Sequence, residues 1–75
     1  MPTKTQEERR ADTRERLLRA AADLFARKGV DAVSVDAIAD EAGRTSGALY
    51  DHFGGKDGLL FALPATYYLA RLLFS

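Results

Sequence analysis

The side chains best equipped for chemistry sit in one run, AGRTSGALYDHFGGK, at positions 42–56. Thr45, Ser46, Tyr50 and His52 offer hydrogen-bonding groups, and Arg44 and Lys56 bracket them with positive charge. That set suits recognition rather than bond making, because such groups can donate to phosphate oxygens and reach base edges. Helical spacing would put Ser46, Gly47 and Tyr50 on one outward side, with Leu49 and Phe53, four apart, facing inward. Each residue also has a plainer use. Thr45 can cap a helix by accepting from a free backbone amide. Ser46 can be a solvated surface serine. Gly47, which costs about 1 kcal/mol in a helix relative to alanine, is explained by close approach to DNA or by tight packing on a neighbouring helix. Tyr50 can be merely half-buried, and a lone histidine such as His52 is more often a packing or capping group. Lys56 would stand in the first turn of a helix, where the dipole disfavours a cation, so a phosphate explains it better.

Positioning these groups requires two short helices and a tight turn. Val35, Ile38, Ala39 and Ala42 recur at i, i+3, i+4 and i+7, one apolar face of a helix capped by Ser34. Gly43 can take positive φ and end it, and Thr45 can open the next helix. Two short helices joined by about three residues including a glycine fit a helix-turn-helix spanning 34–53. Upstream, Leu17, Leu18, Ala21, Leu24 and Phe25 predict a helix over roughly 13–28, stopped at Gly29. Both Thr5-x-x-Glu8 and Asp12-x-x-Glu15 resemble capping boxes, and residues 1–12 read as a flexible polar arm. Val30 and Val33 would tuck under the domain. Gly54-Gly55 breaks the chain before a fourth helix opening at Lys56, and Pro64 should kink or end that helix. The last stretch, 63–75, is far more apolar than the rest; Leu69, Leu72, Leu73 and Phe74 have no evident place in a three-helix core, which leaves open the alternative of a truncated or vestigial module acting through protein–protein contacts of this tail.

With these residues in view, the chain resembles the N-terminal DNA-binding domain of TetR-type bacterial transcriptional regulators. The resemblance is carried by Leu17-Leu18-x-Ala20-Ala21, Leu24-Phe25-x-x-x-Gly29, Ser34-Val35, Ile38-Ala39 and Ala42-Gly43. It ends in Gly47-Ala48-Leu49-Tyr50-x-His52-Phe53-x-x-Lys56, the most specific part, and covers about residues 13–62. It implies an all-α, three-helix domain with a short, proline-interrupted fourth helix. It also implies operator reading by the third helix, typically to repress transcription. Intact relatives work as homodimers on near-palindromic double-stranded DNA, and carry a longer C-terminal effector domain. Tyr50 and His52 match positions that touch DNA in the family. Arg44 departs from the small apolar residue usual there; it could pair with Asp40 or reach a phosphate. Asp36 would be repelled by phosphate but could accept from a cytosine amino group. The resulting candidate DNA contacts are Ser34, Arg44, Thr45, Ser46, Gly47, Tyr50, His52 and Lys56.

Composition narrows the alternatives. Seventy-five residues allow one domain. Without cysteine there is no disulfide, thiolate nucleophile or sulfur-ligated metal site, and one histidine serves no identifiable nucleophile. Enzyme is therefore the weakest class, and no cofactor or metal is expected. The polar start is not a secretory signal, and the family resemblance implies the bacterial cytoplasm and its nucleoid. A membrane partner is not expected either, because Leu59 to Phe74 holds Pro64 and Arg71 and is shorter than a span. Formal charge is zero. Residues 1–30 hold eight basic against five acidic side chains, and residues 31–75 three against six. Cationic contact with phosphates would thus lean on the N-terminal segment, Arg44 and Lys56, and non-specific binding should be weak.

Overall fold

In the computed structural model, which describes residues 5–74, helix α1 runs Gln6–Lys28 because both its ends are chemically closed. The Thr5 hydroxyl accepts from the Glu8 amide at 3.1 Å, while the Glu8 carboxylate accepts from the Thr5 amide at 3.4 Å. This reciprocal cap satisfies two amides that helix geometry leaves without partners. Acid-to-arginine pairs at i, i+4 then support the helix: Asp12–Arg16, Glu15–Arg19 and Asp23–Arg27. The upstream capping box is the one used. Residues 6–12, expected to be a flexible arm, are therefore helical, and residues 1–4 lie outside those described.

A single 3-10 turn, Val30–Ala32, leads into α2 (Val35–Ala42), followed by α3 (Ser46–Phe53), α4 (Lys56–Ala62) and α5 (Ala65–Phe74). The described residues form an all-α fold. The stripe foreseen on α1 is buried, with Leu17 and Ala21 fully enclosed and Phe25 nearly so. Against it pack Val33, Ile38 and Ala42 from the α2 region, Leu49 from α3 and Leu59 from α4. Leu59 is fully buried, so α4 completes the core rather than merely following a three-helix unit. Its first turn lies hard against the end of α3: a Cβ on Gly58 would fall 1.9 Å from the Phe53 carbonyl oxygen.

Pro64 separates α4 from α5, since its ring and missing amide cannot continue a helix. Helix α5 docks through half-buried Tyr67 and Tyr68, which pack against the core, and through polar groups that reach α1. Tyr67 donates to the Glu15 carboxylate, the Arg19 guanidinium lies 5.4 Å from the Tyr67 ring centre, and Arg71 Nε donates to Asp23 at 3.1 Å. Its apolar residues Leu69, Leu72, Leu73 and Phe74 face solvent. No helix among the described residues is long and apolar enough to cross a membrane.

Candidate nucleic-acid interface

The turn between α2 and α3 is built from caps. Ser34 opens α2 by accepting from the Ala37 amide at 3.1 Å. Gly43, at φ +69° and ψ 33°, ends it in the left-handed region that a side chain would resist. Its amide donates to the Asp40 carbonyl, and the Arg44 amide donates to Ala39, closing the last carbonyls of α2. Thr45 then opens α3 by accepting from the Ala48 amide at 3.1 Å. The threonine hydroxyl oxygen is used as a cap, which is its plainer role.

Helix α3 is anchored by Leu49, fully buried, and by half-buried Phe53. The other side carries Ser46, Gly47, Tyr50 and Asp51. Tyr50 is 55% exposed, a high value for a tyrosine in a packed domain. The Ser46 hydroxyl donates to the Asp36 carboxylate, tying the first turn of α3 to the first turn of α2. Asp36 is thus occupied by a neutral donor on the same face. Around Gly47 there is open space: an added Cβ would meet nothing nearer than the Thr45 hydroxyl at 3.8 Å. Tight packing on the second helix therefore does not explain this glycine.

Two cationic residues turn away from this face. Arg44 was expected to pair with Asp40 or reach a phosphate. It bridges back to α1 instead, donating to Thr13 Oγ1 at 3.0 Å, Asp12 Oδ2 at 3.1 Å and its neighbour's carbonyl, Gly43 O, at 2.9 Å. Lys56 was expected to grip a phosphate. Its Nζ donates to the Val30 and Val33 carbonyls, both at 3.0 Å, which staples the 3-10 turn to the start of α4. The physical reason is the same in both cases. These loop carbonyls and the Asp12 carboxylate are partly buried and need donors, and a long cationic side chain satisfies them.

His52 is half-buried at the far end of α3, its ring 6.0 Å from that of Phe53. Burial holds its pKa below the ordinary histidine value, and the positive charges of Arg10 and Arg14 add to that, partly opposed by Asp51. The structure thus gathers Thr45, Ser46, Gly47 and Tyr50 at one surface, with Ser34 capping the preceding helix and His52 at its edge. It also brings in residues the sequence did not single out. Arg10 donates to Asp51 at 3.0 Å, and the Arg14 guanidinium lies over the Phe53 ring at 4.7 Å. No local spacing signals these pairings, which join residues about forty apart in the chain.

The model of bacterial regulatory proteins of the tetR family matches residues 17–63, which include the whole cap–turn–helix unit. The chain belongs to the tetR family. It is 44% identical over 55 residues to the HTH-type transcriptional regulator SrpR of Pseudomonas putida, covering 73% of this chain and 26% of SrpR. It is equally identical over 55 residues to the uncharacterized HTH-type transcriptional regulator TtgW of the same species, covering 41% of that protein. To the HTH-type transcriptional repressor KstR2 of Mycolicibacterium smegmatis it is 46% identical over 50 residues, 67% of this chain and 24% of KstR2. The chain therefore spans about a quarter to two fifths of the length of these tetR-family relatives. No solved structure gave a significant match. The named relatives are transcriptional regulators, which supports a DNA-binding regulatory role for this tetR-family chain.

Proposed function

We propose that this chain is the operator-reading head of a tetR-type regulator, acting in the cytoplasm to repress transcription. In this reading α2 lies across the DNA backbone and α3 enters the major groove, the docking geometry general to helix-turn-helix heads. Tyr50 would reach a base or phosphate from the exposed face, and Ser46 would contact base edges beside Asp36. A near-palindromic site would be bound by two such heads acting as a homodimer.

The observation that carries this reading is Gly47. It sits in the first turn of α3, on the exposed face, where nothing within the protein requires the absence of a side chain. A glycine kept where the helix would be better served by alanine fits a surface that another molecule must approach closely. The relative KstR2 is named a transcriptional repressor, which supports the regulatory direction.

Selection from a random duplex library at low salt, followed by fluorescence-anisotropy titration of the enriched duplex, tests the proposal. Gly47→Glu should reduce affinity at least about a hundredfold by adding bulk and negative charge, and Tyr50→Ala about tenfold, given the ~1–3 kcal/mol carried by a good base contact. Absence of any enriched sequence, or undiminished binding by Gly47→Glu, would defeat the proposal.

A further inference from the structure

Arg10, Arg16, Arg19, Arg27, Arg44 and Arg71 are each paired with a carboxylate. Arg14 is different. It is exposed, makes no ion pair among the described residues, and its guanidinium lies over the Phe53 ring with 4.7 Å between guanidinium carbon and ring centre. Phe53 ends α3 on its inward side, but Arg10, one turn before Arg14 on α1, reaches Asp51 on the exposed side, so this stretch of α1 flanks the C-terminal end of α3. A guanidinium stacked on an aromatic ring is held in place while its in-plane N–H groups remain free to donate, a preorganised fork for a phosphate. Asp51, the carboxylate on that side of α3, is already neutralised by Arg10 one turn before Arg14 on α1. The edge is therefore not repulsive to an anion.

We propose that Arg14, resting on Phe53 without a carboxylate of its own, binds a backbone phosphate of duplex DNA where α1 flanks the end of α3. This rests on the DNA-reading role proposed above and supplies a phosphate grip from a side chain whose donors are not engaged among the described residues, as those of Arg44 and Lys56 are. The contact positions the head without reading sequence.

The full chain is titrated with its selected duplex by anisotropy over a range of salt, as unaltered protein, Arg14→Gln, Arg14→Lys and Arg19→Gln. Arg19 is a control of equal charge, already paired with Glu15 on the side of α1 that faces α5. Arg14→Gln should keep its circular dichroism and melting temperature, bind about tenfold more weakly at low salt, and lower the slope of log K against log salt by about 1. Arg14→Lys should recover the slope, and Arg19→Gln should retain both slope and affinity. An unchanged slope in Arg14→Gln, or an equal fall in Arg19→Gln, overturns the Arg14 contact while DNA binding by the unaltered chain stands. An unaltered chain that binds no duplex overturns the function itself, and this contact with it.

Discussion

At the scale of single residues, His52 connects the site's electrostatics to a measurable pH dependence. Burial lowers its pKa first, and Arg10 and Arg14 lower it further, so the fold disfavours the charged ring. A DNA phosphate placed at this edge would favour the charged ring and raise its pKa. Affinity for duplex should therefore increase as pH falls from about 7.5 to about 5.5, and the trend should flatten in His52→Gln. Stability of the free protein has the opposite sign. Because the folded pKa lies below the unfolded one, the contribution of His52 is present above the unfolded value and is lost as pH falls through the folded one. Anisotropy titrations and urea melts on the same two proteins separate these effects. A pH-independent binding difference between unaltered protein and His52→Gln would remove the phosphate from the neighbourhood of His52.

At the scale of elements, two helical glycines make opposite demands. Gly47 has open space where a Cβ would go, so Gly47→Ala should stabilise α3 by roughly 0.5–1 kcal/mol through a less flexible unfolded chain. Gly58 has the Phe53 carbonyl in that position, 1.9 Å away. Gly58→Ala must push α4 off α3, withdrawing Leu59 from the core, and should cost on the order of 2–3 kcal/mol, as overpacking does. For a domain this small, that is a fall in melting temperature on the order of 10 °C. Thermal melts of the two alanine variants should move in opposite directions. Similar losses in both would mean that α3 and α4 are not seated as described.

For the molecule as a whole, Tyr67, Tyr68 and polar contacts hold α5 while its remaining apolar residues are open. Tyr67 and Glu15 illustrate the contact: the hydrogen bond from Tyr67 lowers the Glu15 pKa, and the same bond raises that of Tyr67. The raised phenol contributes to docking below its unfolded pKa, and that contribution is lost as pH rises through the folded value. The lowered carboxylate contributes above its unfolded pKa and is lost in strong acid. Meanwhile Phe74 is 86% exposed, and Leu69, Leu72 and Leu73 are each more than half exposed. Exposed apolar side chains this close together on one short helix are adhesive in water. The 75-residue chain should associate as its concentration rises, and Leu72→Lys with Leu73→Lys should suppress that without lowering the melting temperature by more than a few degrees, because neither leucine is buried. Sedimentation velocity over a hundredfold concentration range checks this. Unchanged sedimentation in both proteins would show the patch to be inert.

What the sequence determined by itself is local. The caps at Ser34 and Thr45, the stop at Gly43, the apolar stripe from Leu17 to Phe25 and the break at Pro64 each follow from neighbours within a few residues. The all-α, tetR-type architecture follows from their order. The start of α1 was ambiguous, because two capping boxes fit the letters and only reciprocal geometry at Thr5 and Glu8 selected between them. The destinations of the long cationic side chains lay beyond local pattern. Lys56 finds the carbonyls of Val30 and Val33, Arg44 finds Asp12, and Arg14 finds Phe53, across separations of 23 to roughly 40 residues. Helix periodicity assigns such residues to a face, but a flexible stem of several bonds can turn toward any partner within reach. Packing of α1 against α3 and α4 decides which partner that is, so the edge proposed to take a phosphate could be picked out only from the folded chain.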